Sequence, residues 1–213
     1  RDHCVTGVQT CALPIFDAKE GRNSMVLDIP GMFLQTKAKP ESIYVAIRGD
    51  MLNELLSEAP EFAAFVETTN GKRVLICECD KMLYGTLDSG RMSHLKLIKW
   101  LVGHGFKANP VEPCWYNKDV NGSQLSVLLH VDDLKASHVD DEVLNWFHAL
   151  LEEEYGKEAR LTWNRGKVLE YLGFKIDYTV PGEVSFTMYE FLQKALNEFP
   201  SKDDTFEIGR AHV

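Results

Sequence analysis

The stretch from Leu125 to Val139, LSVLLHVDDLKASHV, limits what this chain can fold into more than any other. Leu125, Val127, Leu129 and Val131 alternate with Ser126, Leu128 and His130 at the strand period of two, and a second apolar-rich run follows Asp132-Asp133. The pattern predicts a β-hairpin with two carboxylates at its tip. A single Asp in a tight turn needs no further reason, because its short side chain bonds nearby backbone. Two adjacent ones repel unless a cation sits between them, and a hard divalent cation is the natural neutraliser.

A third carboxylate stands out upstream. Met25-Val26-Leu27-Asp28-Ile29 is a short apolar run interrupted by Asp28 and stopped by Pro30-Gly31. A strand buried enough to carry Met, Val, Leu and Ile rarely keeps an Asp without a use for it, the plain alternative being a turn Asp before Pro30. Further strands are predicted at Ile43–Ile47, in two hairpins marked by Asn70-Gly71 and Asn121-Gly122, and in a last hairpin that runs through Tyr171–Ile176, turns at Pro181-Gly182 and returns through Val184, Phe186 and Met188. Helices are predicted over Met51–Ser57, over a segment with Leu95, Ile98, Leu101 and Val102 on one face ended by Gly103, over Val143–Leu151 after Asp140-Asp141-Glu142, and over Phe191–Phe199. This order gives an α+β fold, an antiparallel sheet with helices packed on one face. Such a sheet can bring Asp28 beside Asp132 despite their separation in sequence.

Both ends of the chain read differently. Val5–Ile15 and Glu207–Val213 look like translated sequencing-library adaptor, so residues 1–15 are expected to be disordered, residues 16–206 to form the domain, and 207–213 to be adaptor again. On that reading the chain is an internal piece of something longer. No apolar run approaches membrane-spanning length. Cys77, Cys79 and Cys114 remain once the suspect end is set aside, a sparse odd set that predicts reduced thiols in an intracellular compartment; a zinc site formed by them with a His is the minor alternative. The net charge of −9, from 23 Lys+Arg against 32 Asp+Glu, argues against a self-sufficient nucleic-acid binder, so any polynucleotide would have to be held by local basic patches or by missing parts.

Three carboxylates on neighbouring strand ends would make a hard oxygen pocket suited to Mg²⁺, which takes one or two carboxylates and completes its shell with substrate phosphates and water. Two such ions clamp the attacking and leaving oxygens of an in-line phosphoryl transfer. The residues therefore point to nucleotidyl transfer.

The set Leu27-Asp28-Ile29-Pro30-Gly31-Met32-Phe33-Leu34, Ile43-Tyr44-Val45, Lys81-Met82-Leu83-Tyr84-Gly85-Thr86-Leu87, His130-Val131-Asp132-Asp133-Leu134 and Glu170-Tyr171-Leu172-Gly173-Phe174 resembles the reverse transcriptase of copia-type LTR retrotransposons, in order and over nearly the whole chain. The resemblance implies a polymerase palm-like antiparallel sheet, with part of the fingers and the start of the thumb. It makes Asp28, Asp132 and Asp133 the catalytic carboxylates, with Asp28 and Asp132 as ligands of two Mg²⁺ ions, Mn²⁺ being the alternative metal, and Asp133 supporting them. Phe33 falls where the family keeps the aromatic gate against a ribonucleotide 2′-hydroxyl, and Leu172, Gly173 and Phe174 match the hairpin that grips the primer. Ordinary core packing for Phe33 and a strand bulge at Gly173 are the bland readings. Lys167 is a weaker suggestion as a proton donor to pyrophosphate, against the reading of a solvated surface lysine.

The implied partners are an RNA or DNA template with its primer and deoxynucleoside triphosphates, with no membrane, and the implied location is the cytoplasm, in a virus-like particle. The chain would lack RNase H, much of the fingers and part of the thumb, and would polymerise poorly by itself. His130, Met32 and the run Asp88–His94 depart from the family pattern, which implies a diverged copy. Two other classes stay open: an inactive retroelement remnant that keeps the fold, and an RRM-like RNA-binding α+β module, against which the acidic charge speaks.

Overall fold

The computed structural model describes residues 7–39, 43–86 and 88–198. In chain order the elements are helix α1 (Gly7–Glu20), strand β1 (Asn23–Asp28), a short 3-10 turn (Met32–Gln35), β2 (Tyr44–Arg48), α2 (Gly49–Glu58), a second 3-10 turn (Pro60–Phe65), β3 (Glu67–Thr69), β4 (Lys72–Glu78), α3 (Ser89–Gly103), β5 (Lys107–Ala108), β6 (Trp115–Val120), β7 (Ser123–His130), β8 (Asp133–His138), α4 (Asp141–Tyr155), β9 (Thr162–Arg165), β10 (Val168–Tyr171), β11 (Phe174–Asp177), β12 (Ser185–Thr187) and α5 (Tyr189–Glu198).

The acidic hairpin forms as its alternation predicts. β7 and β8 pair antiparallel from Ser126↔Ser137 to His130↔Asp133. They sit inside a six-stranded antiparallel sheet of order β5-β6-β7-β8-β1-β9, so β1 is the next strand in and β9 closes one edge. Alternation then divides the side chains between two faces. Met25, Leu27, Val127, Leu129 and Ala136 meet Leu97 and Leu101 of α3 and Leu144, Phe147 and Leu151 of α4 in one apolar cluster. Each large side chain buried there contributes roughly 1.5–3 kcal/mol. Trp115 and Leu128, on the opposite face, join Leu169, Tyr171 and Ile176 of the three-stranded sheet β10-β11-β12 together with Leu13 and Ala18 of α1. A third sheet, β2-β4-β3, forms by itself beside the first. The result is the α+β, palm-like antiparallel sheet with helices against its face.

Local chemistry explains the ends of these elements. Asn70 and Gly71, at φ 52° and 72°, make the two-residue turn between β3 and β4, and Asn121 and Gly122, at φ 55° and 77°, the one between β6 and β7; positive φ at both positions is what Asn-Gly supplies at least cost. The Asp140 side chain accepts a hydrogen bond from the Glu142 N–H at 3.0 Å and so caps α4.

Several expectations are corrected. Residues 7–15 are not disordered: they are the start of α1, held because Leu13 is fully buried in the second cluster. Residues 1–6 and 207–213 lie outside the described residues, as does Phe199 of the last expected helix. Tyr171–Ile176 is not one strand but β10 and β11 joined at Leu172-Gly173, whose φ values of 52° and 77° reverse the chain there. On α3 the buried positions are Ser89, Ser93, Leu97 and Leu101, spaced four apart, while Leu95 and Val102 face outwards, because the sheet lies on the Leu97 side. Cys114 is disulfide-bonded, whereas Cys77 and Cys79 are free, so the set is not fully reduced and the three do not make a zinc site. Among the described residues no helix is long and apolar enough to cross a membrane.

Candidate active site

Strand register builds the site. β1 runs antiparallel to β8 from Asn23↔His138 to Asp28↔Asp133, which sets Asp28 directly opposite Asp133. Beyond the last pair, the Ile29 N–H donates to the Asp132 carbonyl at 3.2 Å, so the Asp132 backbone is tied to the residue after Asp28. The hairpin turn is Val131-Asp132. Val131 has φ 56°, a region that costs a β-branched residue of the order of 1–3 kcal/mol and is found where function holds it.

The carboxylates feel one another. Burial and then the Asp132 charge raise the Asp28 carboxyl above its ordinary value, opposed by the Thr162 hydroxyl, which donates to Asp28 Oδ2 at 3.4 Å. Burial also raises Asp133, with Asp132 and Asp28 adding to it and His130 opposing. Like charges brought together raise both pKa values, and a cation between them would remove that penalty. Among the described residues no three His, Cys, Asp or Glu side chains are grouped to hold a metal ion by themselves. The donor set nevertheless fits a hard divalent ion of the Mg²⁺ type, which needs only one or two carboxylates beside substrate oxygens. Asp28 and Asp132 are the residues that would hold it.

Phe33 follows on the 3-10 turn, and three polar contacts fix that turn against the helices. Lys96 Nζ of α3 donates to the Gln35 carbonyl at 2.9 Å, Gln35 Nε2 donates to the Tyr155 carbonyl at 2.8 Å, and Ser93 Oγ donates to Thr36 Oγ1 at 3.0 Å. Phe33 itself is buried, and its ring meets Tyr84 edge-on at 4.4 Å between centroids. Tyr84 is exposed, and burial with the Asp132 and Asp28 charges raises its hydroxyl. Sequence reasoning missed Tyr84 as a site residue although its segment was part of the resemblance; an aromatic in a loop gives no periodic signal.

Leu172 and Gly173 form the β10–β11 turn, with Leu172 and the adjoining Phe174 half-buried against the second cluster. Gly173 is not a bulge. It is the second turn residue, and a Cβ there would stand 3.3 Å from the Phe191 ring of α5. This hairpin is linked to the acids through Tyr171, whose hydroxyl is raised by burial and then by Asp133. Lys167 is placed elsewhere. It lines a cleft with Arg22, Asn23 and Ser24, at the end of β1 away from Asp28, so the suggested proton-donor role is overturned by position.

Comparison with known proteins gives one family and a set of distant structures, of which two are described. The family model described as reverse transcriptase (RNA-dependent DNA polymerase) matches residues 12–206. Comparison with curated proteins returned no match. Among solved structures, apo telomerase from Candida tropicalis, truncated from the C-terminal domain, is similar at 10% identity and a TM-score of 0.46, covering 84% of this chain and 39% of that one. Telomerase from Candida albicans in complex with a fragment of telomeric RNA is similar at 10% identity and a TM-score of 0.44, covering 86% and 36%. The chain thus spans less than two fifths of either.

Proposed function

The chain belongs to the reverse transcriptase (RNA-dependent DNA polymerase) family, and from that premise we propose that it is the palm of a retrotransposon polymerase which adds deoxynucleotides to a primer on an RNA or DNA template. The single observation that carries the chemistry is the pairing of Asp28 with Asp133 next to the Asp132 turn, where burial and then the neighbouring carboxylates raise Asp28 and Asp133. Divalent cations held there would activate the primer 3′-hydroxyl and neutralise charge on the departing pyrophosphate.

The chain's own residues do the rest. Asp28 and Asp132 supply the metal-binding oxygens. Asp133 begins β8 and fixes the separation of the other two through its pairing with Asp28. Phe33 and Tyr84, whose rings meet edge-on, would stand beside the sugar of an incoming nucleotide, and Leu172, Gly173 and Phe174 offer a turn for the primer strand. The β2-β4-β3 sheet would be the part of the fingers that is present, and α5 the start of the thumb. The same reading takes the parent to be a copia-type Pol polyprotein working in a cytoplasmic virus-like particle, with 1–15 and 207–213 of adaptor origin, which the nucleotide sequence of the locus decides.

One observation favours the inactive remnant instead. Asp88 lines a cleft with Lys39, Tyr44, Met82 and Met92, and a carboxylate there opposes an approaching triphosphate. The RRM-like alternative is set aside by the family match and the six-stranded sheet. The test is Mg²⁺-dependent primer extension by the full-length element enzyme. Asp132→Ala and Asp28→Ala are each expected to abolish it, and retained extension would remove that residue from the chemistry.

A further inference from the structure

Edge strand β9 (Thr162–Arg165) lies in a basic stretch of an acidic protein. From Ala159 to Leu169 the chain carries Arg160, Arg165 and Lys167 and no carboxylate, within a protein of net charge −9. Among the described residues none of these three cations forms an ion pair. Arg165 uses Nη1 to donate to the neutral Asn145 side chain at 2.7 Å, so its charge is left uncompensated. Between the arginines Trp163 is 53% exposed. The Arg165 guanidinium sits 5.3 Å from the Trp163 ring centroid and the His148 ring 5.4 Å from it, which holds the indole in place.

The bland account is protection of a sheet edge, since natural edge strands carry cations that discourage pairing with other chains. That account explains the cations but not the indole, because a half-exposed tryptophan adds the kind of surface that edge protection removes. The pairing of β9 with β1 adds direction: Thr162, beside Trp163, lies opposite Asp28 and bonds to it. β9 itself is about 13 Å long at the rise of a strand, with Arg160 and Lys167 just beyond its two ends, long enough for a few nucleotides of an extended strand.

We propose that the β9 edge is a platform for single-stranded nucleic acid, with a base stacked on Trp163 and phosphates neutralised by Arg160, Arg165 and Lys167. The Arg160 end of this basic stretch lies toward Asp28, whose strand pairs with Thr162. It rests on the polymerase reading only in naming a nucleic-acid partner. Stacking on an aromatic tolerates any base, so the platform is not sequence-selective, and its affinity falls with salt. Glu152 lines a cleft with Arg160 and Trp163, and Asp141 one with Arg165 and Lys167.

The test is fluorescence anisotropy of a labelled oligothymidylate of about ten nucleotides with the whole chain, in EDTA and at low salt. Trp163→Ala is expected to weaken binding about 5- to 100-fold, the range set by losing one base–aromatic stack, with Trp163→Phe retaining part of it. Arg160→Gln and Lys167→Gln should each lower the slope of log affinity against log salt by about 0.7. Absence of binding by the wild-type chain overturns the proposal. So does unchanged binding by both Trp163 variants, or equal competition by thymidine triphosphate alone, which would make the surface a mononucleotide site. Because EDTA keeps metal out of the assay, oligonucleotide binding that depends on Trp163 supports the platform even if the chain takes up no Mn²⁺, a result that would sink the catalytic reading separately.

Discussion

Asp17→Ala should unfold this protein far more readily than any exposed acidic substitution. Asp17 of α1 and Lys135 of β8 form an ion pair with both side chains fully buried. Ser24 Oγ on β1 joins them, donating to Asp17 Oδ2 at 3.1 Å and accepting from Lys135 Nζ at 3.2 Å, and the Tyr178 hydroxyl reaches Asp17 Oδ2 at 3.5 Å. Removing Asp17 leaves an ammonium in an apolar cluster with one hydroxyl for company. Breaking such a pair costs about 3–5 kcal/mol, against a total stability of about 5–15 kcal/mol for an ordinary domain. For a chain of this length that lowers Tm by roughly 6–20 °C. Replacing both residues, as Asp17→Leu with Lys135→Met, removes the desolvation penalty along with the pair and should return stability to within about 1 kcal/mol of wild type or above it. The pH dependence has a definite sign. Burial already pushes the Lys135 ammonium below its ordinary value, against the pull of Asp17. Without Asp17 the folded form binds still fewer protons than the unfolded one over the interval below 10.5, so the stability of Asp17→Ala rises with pH there. Urea unfolding of Asp17→Ala and of the double variant at several pH values reads all of this. A loss under about 1 kcal/mol for Asp17→Ala, or an equal loss for the double variant, would refute the argument.

Two further outcomes follow from the site. Asp28 and Asp133 have folded pKa values above the ordinary 3.8, so the native state binds more protons than the unfolded one just above that pH, and stability falls as pH rises through the folded values. Asp28→Asn keeps an acceptor for Thr162 while removing the repulsion. Discounted for its exposure, it should stabilise the metal-free chain by about 0.5–1 kcal/mol at neutral pH and flatten that slope in urea titrations; a net loss would count against crowded carboxylates. At the other hairpin, Gly173→Ala meets φ 77° and the Phe191 ring at 3.3 Å, so it should cost about 1–2 kcal/mol and loosen α5, seen as faster amide exchange in Tyr189–Glu198; unchanged exchange would show that α5 does not depend on this turn.

How much of this was legible in the sequence depended on the range of each interaction. The Leu125–His138 hairpin was readable because alternation at period two encodes both the strands and their faces, and Asn70-Gly71 and Asn121-Gly122 announced their turns by residue type. An antiparallel sheet was enough to bring Asp28 to the acidic tip, but the expected neighbour was Asp132, whereas the register sets Asp133 opposite Asp28. The Leu172-Gly173 reversal was readable only through the resemblance to a primer-gripping hairpin and not from the pattern, because an apolar Leu at φ 52° looks like strand. The Asp17–Lys135 pair was invisible for a different reason: Lys135 sits in a strand pattern as an ordinary outward polar residue until α1 covers that face. Setting aside residues 1–15 also removed the segment that carries Leu13, and with it any expectation of that cover. Exposure misled in the other direction at Phe33, which is buried, while Tyr84 presents the outer ring near the acids.

The central claim is that Asp28 and Asp132 share divalent metal. The direct measurement is anomalous diffraction from crystals of this chain grown with Mn²⁺ and a nucleoside triphosphate. The account predicts Mn²⁺ density within about 2.2 Å of both carboxylates, with a second ion about 3.5–4 Å away on the phosphate side. Density at neither carboxylate, or an ion bound by Asp133 and His130 with Asp28 turned away, would contradict it.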